Sequence, residues 1–175
     1  MTDIKAPRRN IELKARLHNL DEARATAERL ATKYVGVQLQ TDTYFVCAQG
    51  RLKLREIDDH VAQLVAYERA NDKDSKASDY YLMPVADAAL MKQALTAALG
   101  LRGVVRKRRE VFLVENVRGH LDEVDGLGIF LEFEAVLGPE INDRHGEQQV
   151  AELRAAFAIQ SEDLLSHSYS DMFSG

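Results

Sequence analysis

Apolar and polar residues alternate along much of the chain, and this alternation predicts a protein built mainly of β-strands. In RNIELKAR, residues 9–16, the apolar side chains of Ile11, Leu13 and Ala15 alternate with polar ones. Successive side chains of a strand point to opposite faces, so this segment is predicted to be a strand with one apolar and one charged face. The strand-like segments of the chain are 9–17, 40–48, 51–57, 61–69, 79–83, 104–114, 116–124 and 128–136.

Short polar connections separate several of these segments. Connections of two to four residues join strands that lie side by side and run in opposite directions. The sequence therefore predicts antiparallel pairing of neighbouring strands. The predicted turns are Gln49-Gly50, Asp58-Asp59, Glu115-Asn116 and Asp125-Gly126.

Three other segments have the residue pattern of helices. The first is predicted to be capped by Asp21 and to continue through residues 23–33, which are rich in strong helix formers. The second is capped by Asp87 and stops at Gly100, and the third covers residues 145–157 with apolar side chains at helical spacing. These helices offer apolar stripes that can cover the apolar face of a sheet.

The charged faces of the strands are sorted by sign. Basic side chains share one face of residues 51–55, whereas Glu132 and Glu134 share a face of the last strand. A strand face that simply meets water usually mixes both signs with uncharged polar residues. In RKRR, residues 106–109, both alternating pairs are basic, so the pattern alone leaves open which pair lies with the other charged faces.

A closed barrel accounts for both kinds of face. If the helices cover the apolar outer face, the charged faces of the strands meet one another in the interior of a closed or nearly closed barrel. Charged side chains enclosed in this way need partners, which water, a polyanion and metal ions would supply. The sequence therefore predicts an α+β fold, with a closed antiparallel β-barrel, or tunnel, and helices packed outside it.

The sorted charges indicate a particular chemistry. Inward Arg and Lys side chains suit a ligand with several phosphates, because guanidinium groups bind phosphate oxygens bidentately and ammonium groups act as point charges. Clustered carboxylates suit Mg²⁺ or Mn²⁺, which prefer oxygen ligands. Together these features favour metal-assisted phosphoryl or nucleotidyl transfer.

Composition narrows the class of protein. The chain has 175 residues, of which 46% are hydrophobic and 29% charged, which fits a single domain over residues 1–175. Its net charge of −5 argues against nucleic acid as a partner, and no apolar run approaches membrane-spanning length, so no membrane partner is expected. Cys47 is the only cysteine, which fits a reducing cytoplasmic location.

The strand motifs also carry a family resemblance. These motifs are NIELKAR, QTDTYF, RLKLRE, LVAYERA, RKRREVF and HLDEVDGLGIFLEFE. They resemble the CYTH superfamily, also called triphosphate tunnel metalloenzymes, which includes class IV adenylyl cyclases, thiamine triphosphatases and inorganic triphosphatases. The resemblance covers the core strands in residues 8–137, with C-terminal helices in residues 143–175, and is greatest to the class IV adenylyl cyclase-like branch.

This resemblance implies a tunnel of about eight strands that binds a triphosphate with a divalent cofactor, Mg²⁺ or Mn²⁺. It also implies that Lys107 and Arg109 are the inward pair of residues 106–109. The implied metal ligands are Glu12, Glu132 and Glu134. The implied catalytic residues are Lys14, Arg55 and Asp122, with Asp122 near the phosphates or a second metal. The implied phosphate-binding residues are Lys14, Arg16, Lys53, Arg55, Arg69, Lys107, Arg109 and Arg118.

The first strand departs from the family hallmark Glu-x-Glu-x-Lys. It reads Asn10-Ile-Glu12-Leu-Lys14, and an amide oxygen can coordinate a metal without adding negative charge, so weaker metal binding is expected. This departure keeps an alternative open, a weakly catalytic or non-catalytic protein that binds polyphosphate or a nucleotide. His120 is interpreted as a structural or phosphate-contacting residue in preference to a general base.

The expected activity is divalent-metal-dependent processing of a triphosphate-containing small molecule. Conversion of ATP to cyclic AMP and pyrophosphate competes with hydrolysis of thiamine triphosphate or inorganic triphosphate, because both reactions use the same tunnel. Family members occur as dimers and monomers, and a homodimer is slightly favoured. Residues 166–173, SHSYSDMF, resemble the family's C-terminal tail and are expected to pack across one mouth of the barrel.

Overall fold

The structure is a computed structural model that describes residues 6–69 and 74–172, leaving out the side chain of Arg69. The strands within these residues are β1 (Arg8–Arg16), β2 (Lys33–Phe45), β3 (Arg51–Ile57), β4 (Val61–Arg69), β5 (Lys76–Val85), β6 (Leu101–Val114), β7 (Val117–Val124) and β8 (Gly128–Val136). The helices are α1 (Leu20–Leu30), α2 (Ala88–Leu99), α3 (Asp143–Ala156) and α4 (Tyr169–Met172), with a 3-10 helix at Ser161–Asp163.

The strands form one closed barrel. Their order around it is β1-β5-β4-β3-β2-β6-β7-β8, and β8 pairs with β1 to close it. Every pairing is antiparallel, including the pairing of β1 with β5. The predicted α+β class and the closed antiparallel eight-stranded barrel are therefore confirmed.

The β2 strand differs most from its predicted extent of 40–48. It begins at Lys33 and pairs with β6 along nearly its whole length. The start of β2 was assigned to the first helix, but α1 ends at Leu30, where Ala31 takes an extended conformation and the Thr32 amide donates to the Leu113 carbonyl of β6. A register shift between Tyr34 and Gly36 then breaks the regular alternation of this strand.

The caps of the helices are partly as predicted. Asp87 caps α2 by accepting from the Leu90 amide, and Gly100 ends that helix with a φ of 85°, as expected. The predicted cap of α1, Asp21, is wrong. Asn19 is the cap, and its side chain accepts hydrogen bonds from the amides of Asp21 and Glu22. Both residue types cap helices well, so composition alone did not separate them.

Helices α1 and α3 cover the outer face of one side of the barrel. The apolar side chains of β1, β7 and β8 pack there against Val150 and Leu153 of α3 and Ala23 of α1, forming the main hydrophobic core. At Gly146 a Cβ atom would lie 2.8 Å from a Leu137 methyl group, so glycine allows α3 to approach the sheet closely. Helix α2 lies outside β2 and β3, and none of its side chains is buried.

The C-terminal segment closes one end of the barrel. Leu164 forms an isolated bridge with Ala15, and the Leu165 amide donates to the Lys14 carbonyl at 2.9 Å. Tyr169 then lies at this closed end of the barrel, where it is 2% exposed. The expectation that residues 166–173 pack across a mouth is confirmed for residues 166–172, and residue 173 lies outside the described part of the chain.

The opposite end of the barrel is the entrance. It lies at the start of β1 and the end of β3, near Arg8 and Ile57, and no segment among residues 6–69 and 74–172 packs across it as α4 does at the other end. Separately, no described helix combines the length and the apolar character needed to cross a membrane.

Candidate active site

The barrel encloses a cavity of about 400 Å³ to which all eight strands contribute side chains. Its wall is unusually rich in charge for a protein interior. The cationic residues that line it are Arg8, Lys14, Lys53, Arg55, Lys107, Arg109 and Arg118, and the acidic ones are Glu12, Glu132 and Glu134. Lys107 and Arg109 are thus the inward pair of residues 106–109, whereas Arg106 is exposed outside.

Three of the cations converge on Asp42 of β2. Arg55 donates two hydrogen bonds of 2.7 Å to its carboxylate, the Lys53 ammonium lies 3.0 Å from Oδ2, and the Lys107 ammonium lies 3.2 Å from the same oxygen. The Asp42 side chain has no exposed surface. Strand pairing produces this cluster, because β3 and β6 flank β2 on either side.

The charges of this cluster shift one another's proton affinities. Burial would raise the pKa of Asp42, but Arg55, Lys107 and Lys53 outweigh it and hold that pKa well below its ordinary value. Burial, followed by repulsion from Arg55, lowers the pKa of Lys53 to about 8. Burial and then Arg109 lower the pKa of Lys107 well below its ordinary value. The Asp42 carboxylate therefore stabilises the charged forms of these three cations, and a second anion bound beside them would stabilise those charged forms further.

Carboxylates gather on the opposite wall of the cavity. A nitrogen of His120 and one oxygen each of Glu132 and Glu134 all lie within 4.8 Å of one another. Both carboxylates are also paired with cations of the wall. Arg109 donates to Glu132 at 2.7 Å, the Lys14 ammonium is 3.4 Å from the other oxygen of Glu132, and Arg118 lies 2.7 Å from Glu134.

These pairs keep the acidic wall charged. Burial would raise the pKa of Glu132, but Lys14 and Arg109 outweigh it and lower that pKa well below its ordinary value. The pKa of Glu134 is lowered in the same way by Arg118 against the effect of burial. Burial, helped by Arg109, lowers the pKa of His120, so its imidazole is neutral at pH 7.

Two side chains of β1 complete this wall. Glu12 is buried and lines the cavity, with its backbone opposite Glu134, although its carboxylate is not one of the three clustered groups. Asn10 is 3% exposed and also lines the cavity. Its side-chain oxygen has no hydrogen-bond partner in the part of the chain that the structure describes. A buried polar atom left in this way is suited to a ligand.

Asp122 lies behind the wall. It has no exposed surface and does not line the cavity. Arg109 donates two hydrogen bonds to it, of 2.7 and 2.6 Å, and the Tyr169 hydroxyl donates a third of 2.8 Å. Asp122 thus positions Arg109, and it connects the cavity to the C-terminal segment. The ring of Tyr169 in turn lies 3.7 Å below the Lys14 ammonium, an arrangement typical of a cation–π contact.

The structure does not bring every predicted residue to the cavity. Arg16 lies beyond the lining, at the closed end, where it donates to the Leu127 carbonyl at 3.3 Å and stacks over Phe130. Arg69 is the last residue of β4, and its side chain lies outside the described part of the structure. Lys14, Lys53, Arg55, Lys107, Arg109 and Arg118 all line one cavity.

Sequence reasoning missed the parts played by Asp42 and Tyr169. Asp42 lies in the motif QTDTYF and alternates with Gln40 and Tyr44, which both line the cavity. This alternation was a signal that it faces inward, but its three partners come from two other strands. Tyr169 comes from a four-residue helix whose position against the barrel leaves no periodic pattern in the sequence.

The donor atoms of the acidic wall fit a divalent cation. The carboxylates of Glu132 and Glu134 and the imidazole of His120 lie around one space and supply oxygen and nitrogen donors. Asn10 offers a further amide oxygen to the same cavity. Oxygen donors of this kind suit Mg²⁺ and Mn²⁺. The residues that the structure places here are therefore compatible with the cofactor that the resemblance implies.

Known proteins are similar to this chain in sequence or in fold. A protein of Methanocaldococcus jannaschii, provisionally named an adenylate cyclase, is 25% identical over 173 residues, which cover 93% of this chain and 97% of that protein. A Pyrococcus horikoshii protein of known structure has a TM-score of 0.83 at 24% identity, covering 93% of this chain and 98% of its own. A Hippeastrum protein, provisionally named an adenylyl cyclase and described as having a dominant triphosphatase activity, has a TM-score of 0.68 at 16% identity, covering 94% of this chain and 95% of its own.

The family is shown by the sequence itself. At these identities the two solved structures demonstrate a shared fold and nothing more about chemistry. The sequence profile of the CYTH domain, however, matches residues 8–169, from the first residue of β1 to the first of α4. That match spans the barrel, the flanking helices and the segment that closes one end. The chain belongs to the CYTH domain family.

Proposed function

We propose that this protein binds a triphosphate in its barrel and cleaves a phosphoanhydride bond with the help of Mg²⁺ or Mn²⁺. The observation that carries this proposal is the division of one cavity into two walls. Cations converge on Asp42 on one wall, and the carboxylates of Glu132 and Glu134 converge near His120 on the other. A ligand that carries both phosphates and a metal ion would match the two walls at once.

The proposed phosphate-binding residues are the cations that line the cavity. Arg55 and Arg109 would bind phosphate oxygens through the remaining N–H groups of their guanidinium planes, because Asp42 and Asp122 hold the Nε side of each group and so fix its orientation. The full proposed set is Lys14, Lys53, Arg55, Lys107, Arg109 and Arg118, with Arg69 included by its motif. We leave Arg16 out because it lies beyond the cavity lining.

The catalytic step depends mainly on charge. When bound by Glu12, Glu132 and Glu134, the cation would neutralise negative charge on the phosphate oxygens and orient them. Lys14 and Arg55 would stabilise the charge that develops on the oxygen of the leaving group, because they face the cavity from opposite walls. Asp122 acts indirectly in this scheme, since it contacts Arg109 and Tyr169 and does not line the cavity.

The attacking group defines the reaction, and two reactions share this arrangement. Water as the nucleophile gives hydrolysis, and a ribose 3′-hydroxyl of a bound nucleotide gives a cyclic nucleotide and pyrophosphate. The provisional name of the Methanocaldococcus jannaschii relative agrees with the second, and the triphosphatase activity of the Hippeastrum protein agrees with the first. A reducing cytoplasm, in which Cys47 stays a thiol, is the proposed location.

A product screen tests this proposal. ATP, thiamine triphosphate and tripolyphosphate are each incubated with the protein and Mg²⁺ or Mn²⁺, and phosphate, pyrophosphate and cyclic AMP are measured. We expect metal-dependent release of product from at least one of them, and cyclic AMP would identify a cyclase. Tight binding of tripolyphosphate without turnover of any substrate would contradict the enzyme and support the binding protein.

Two neighbouring arginines provide a matched comparison for that assay. Arg109→Ala removes a guanidinium that lines the cavity, and we expect turnover to fall at least a hundredfold. Arg106→Ala removes the same group from the same strand on its exposed outer side, and turnover should stay within about twofold of the wild type. Equal effects of the two substitutions would place the reaction outside the barrel.

A further inference from the structure

We infer that His120 is a metal ligand, and that its nitrogen makes the protein prefer Mn²⁺ to Mg²⁺. The inference rests on the proposed function, because it concerns the cation that the reaction uses. His120 lies on β7, and its backbone is paired with Glu132 of β8. The pairing of these strands places the imidazole and both carboxylates on the inner face of the barrel.

The first argument is the distance between the donor atoms. A ring nitrogen of His120 and an oxygen each of Glu132 and Glu134 lie within 4.8 Å of one another. Two ligands about 2.1–2.3 Å from one ion can be at most about 4.6 Å apart, and three ligands spread evenly around it lie about 3.6–4.0 Å apart. Shifts of about half an ångström would therefore bring all three donors onto a single ion.

The second argument is an unpartnered buried atom. His120 is 5% exposed, and its Nδ1 has no hydrogen-bond partner among residues 6–69 and 74–172. Oε2 of Glu132 lies 3.6 Å from this nitrogen, which is too far for a hydrogen bond. Nearly all buried polar atoms in proteins are satisfied, so this nitrogen indicates a ligand that completes the site.

The third argument is competition for the carboxylates. Glu132 is already bound by Arg109 and Lys14, and Glu134 by Arg118, so these oxygens exchange partners before they can bind an ion. The imidazole needs no such exchange. His120 is thus the donor that is ready before the phosphates arrive.

The nature of the donor decides the choice of ion. Mg²⁺ binds oxygen almost exclusively and keeps near-ideal octahedral geometry, whereas Mn²⁺ accepts imidazole nitrogen together with carboxylates. A site that adds one imidazole to carboxylate ligands is therefore better suited to Mn²⁺. The same reasoning predicts that the preference belongs to one side chain and can be removed by changing it.

Pulsed electron paramagnetic resonance tests the inference directly. The wild-type protein is mixed with Mn²⁺, with and without a methylene-bridged triphosphate analogue that contains no nitrogen, and the spectrum is searched for coupling to a bound nitrogen. We expect that coupling, and we expect labelling of histidine with ¹⁵N to change it. His120→Gln should abolish it, raise the Kd for Mn²⁺ about tenfold or more, and reduce the preference for Mn²⁺ over Mg²⁺.

The controls separate this inference from the proposed function. His60→Gln replaces an exposed histidine and should leave the coupling and the Kd unchanged. Bound Mn²⁺ without nitrogen coupling in the wild type would overturn the role of His120 while leaving metal-dependent turnover intact. No Mn²⁺ binding under either condition would also overturn it, and the product screen with Mg²⁺ would then decide the proposed function. The wild-type spectrum gives the answer even if His120→Gln does not fold.

Discussion

Asp42 has no exposed surface, yet three cations share its carboxylate. Lys53, Arg55 and Lys107 would repel one another without it, because water reaches only 12%, 17% and 2% of their side chains. Asp42 therefore supplies to these cations the negative charge that a bound phosphate group would also supply. The proposed binding site for an anion is maintained by an internal anion.

Replacement of Asp42 tests this role. Asp42→Asn keeps the shape of the side chain but removes its charge, leaving three buried cations without their counter-ion. Removing one partner of a buried ion pair costs about 3–5 kcal/mol, and we expect the free energy of unfolding in urea to fall by about that amount. Saturating tripolyphosphate should restore more stability to the variant than it adds to the wild type, because phosphates replace the missing charge.

Asp79 offers the matched control for this substitution. It is paired with Arg9 at 2.9 Å, but 44% of its side chain is exposed. Exposed pairs contribute little, so Asp79→Asn should change the free energy of unfolding by less than about 1 kcal/mol. Similar losses for the two variants would show that Asp42 is not a special counter-ion.

Lys53 should make triphosphate binding depend on pH. Its pKa is about 8 in the protein, against an ordinary value of 10.5, because burial and then Arg55 disfavour its charged form. Bound phosphates would raise that pKa, so binding near pH 8–9 should take up a proton and affinity should fall as the pH rises above 8. Calorimetry of tripolyphosphate binding in metal-free buffers of different ionisation enthalpy measures this uptake.

The Lys53→Arg variant isolates the contribution of this residue. Arginine stays charged over the whole range, so the variant should take up less proton than the wild type. The effect of this pKa on folding stability has the opposite pH dependence to its effect on triphosphate affinity. Between pH 8 and 10.5 the unfolded chain binds the Lys53 proton and the folded chain does not, so this group's contribution to stability improves as the pH rises. Identical proton uptake by the two proteins would assign the linkage to other groups.

At the scale of elements, alternation predicted most of the barrel. It identified a segment within each of the eight strands, and the turn at Asp58 and Asp59 is confirmed by their positive φ angles of 50° and 56°. It failed for the start of β2, where good helix formers run on past the end of α1 at Leu30. Helix propensity favoured a helix at the start of β2, but hydrogen-bonded pairing with β6 makes this segment a strand.

The packing of β7 against β6 requires a residue without a side chain at Gly119. It lies on the outer face of β7, and a Cβ atom at this position would overlap the ring of Phe112 on β6. That ring is 1% exposed and stacks on Phe157 with 6.0 Å between the ring centroids, so it has little room to move. We expect Gly119→Ala to lower the free energy of unfolding by about 1–3 kcal/mol, measured by urea denaturation.

Gly103 provides a control of the same kind. It is also a strand residue, in β6, but a Cβ atom there would meet nothing within 4 Å. Gly103→Ala should therefore be neutral or slightly stabilising. Rescue of Gly119→Ala by a second change, Phe112→Leu, would identify the ring as the cause, and failure of that rescue would point to the backbone instead.

The candidate site was predictable only in part, for a physical reason. Strand parity shows which side chains share a face, and that was enough to place Lys53 and Glu132 inside the barrel. Parity does not show which side chain meets which across strands that are distant in sequence. The contact of Lys107 with Asp42, 65 residues apart, depends on the pairing of β6 with β2, and the position of Tyr169 depends on how the C-terminal segment packs against the barrel.

For the whole molecule, charge is segregated by depth. The protein carries a net charge of −5, yet the described residues that line its cavity include seven cations and only three carboxylates. The rest of the sequence therefore carries a net negative charge. A polyanion is therefore attracted by the cavity and not by the surface, which favours small anions that can enter over nucleic acids that cannot.

The two walls should oppose each other when no metal is present. Glu132 and Glu134 hold Lys14, Arg109 and Arg118, which the proposed function assigns to phosphates. In metal-free buffer the double substitution Glu132→Gln and Glu134→Gln should therefore tighten tripolyphosphate binding, about tenfold, by releasing these cations. With Mg²⁺ or Mn²⁺ present, the same variant should lose turnover. Calorimetry in a chelator and the product screen measure the two effects.

The surface residue Glu123 serves as the reference for this pair of effects. Its side chain is 45% exposed and is paired with Arg108 on the outer side of the barrel. Glu123→Gln should change neither the metal-free affinity nor turnover by more than about twofold. Weaker metal-free binding by the double variant would mean that the carboxylates support the cations and do not compete with phosphates for them.

Among residues 6–69 and 74–172, α4 closes one end of the barrel and the other end is open, which would restrict the order of events in the proposed catalytic cycle. A substrate cleaved inside would leave two fragments one behind the other, and the fragment next to Lys14 and Tyr169 would have to wait for the one nearer Arg8 and Ile57. The fragment that leaves last can bind again to the same free protein that binds substrate, so it should act as a competitive inhibitor. The one that leaves first should inhibit non-competitively. A barrel that is open at one end would therefore determine the order in which the two products are released.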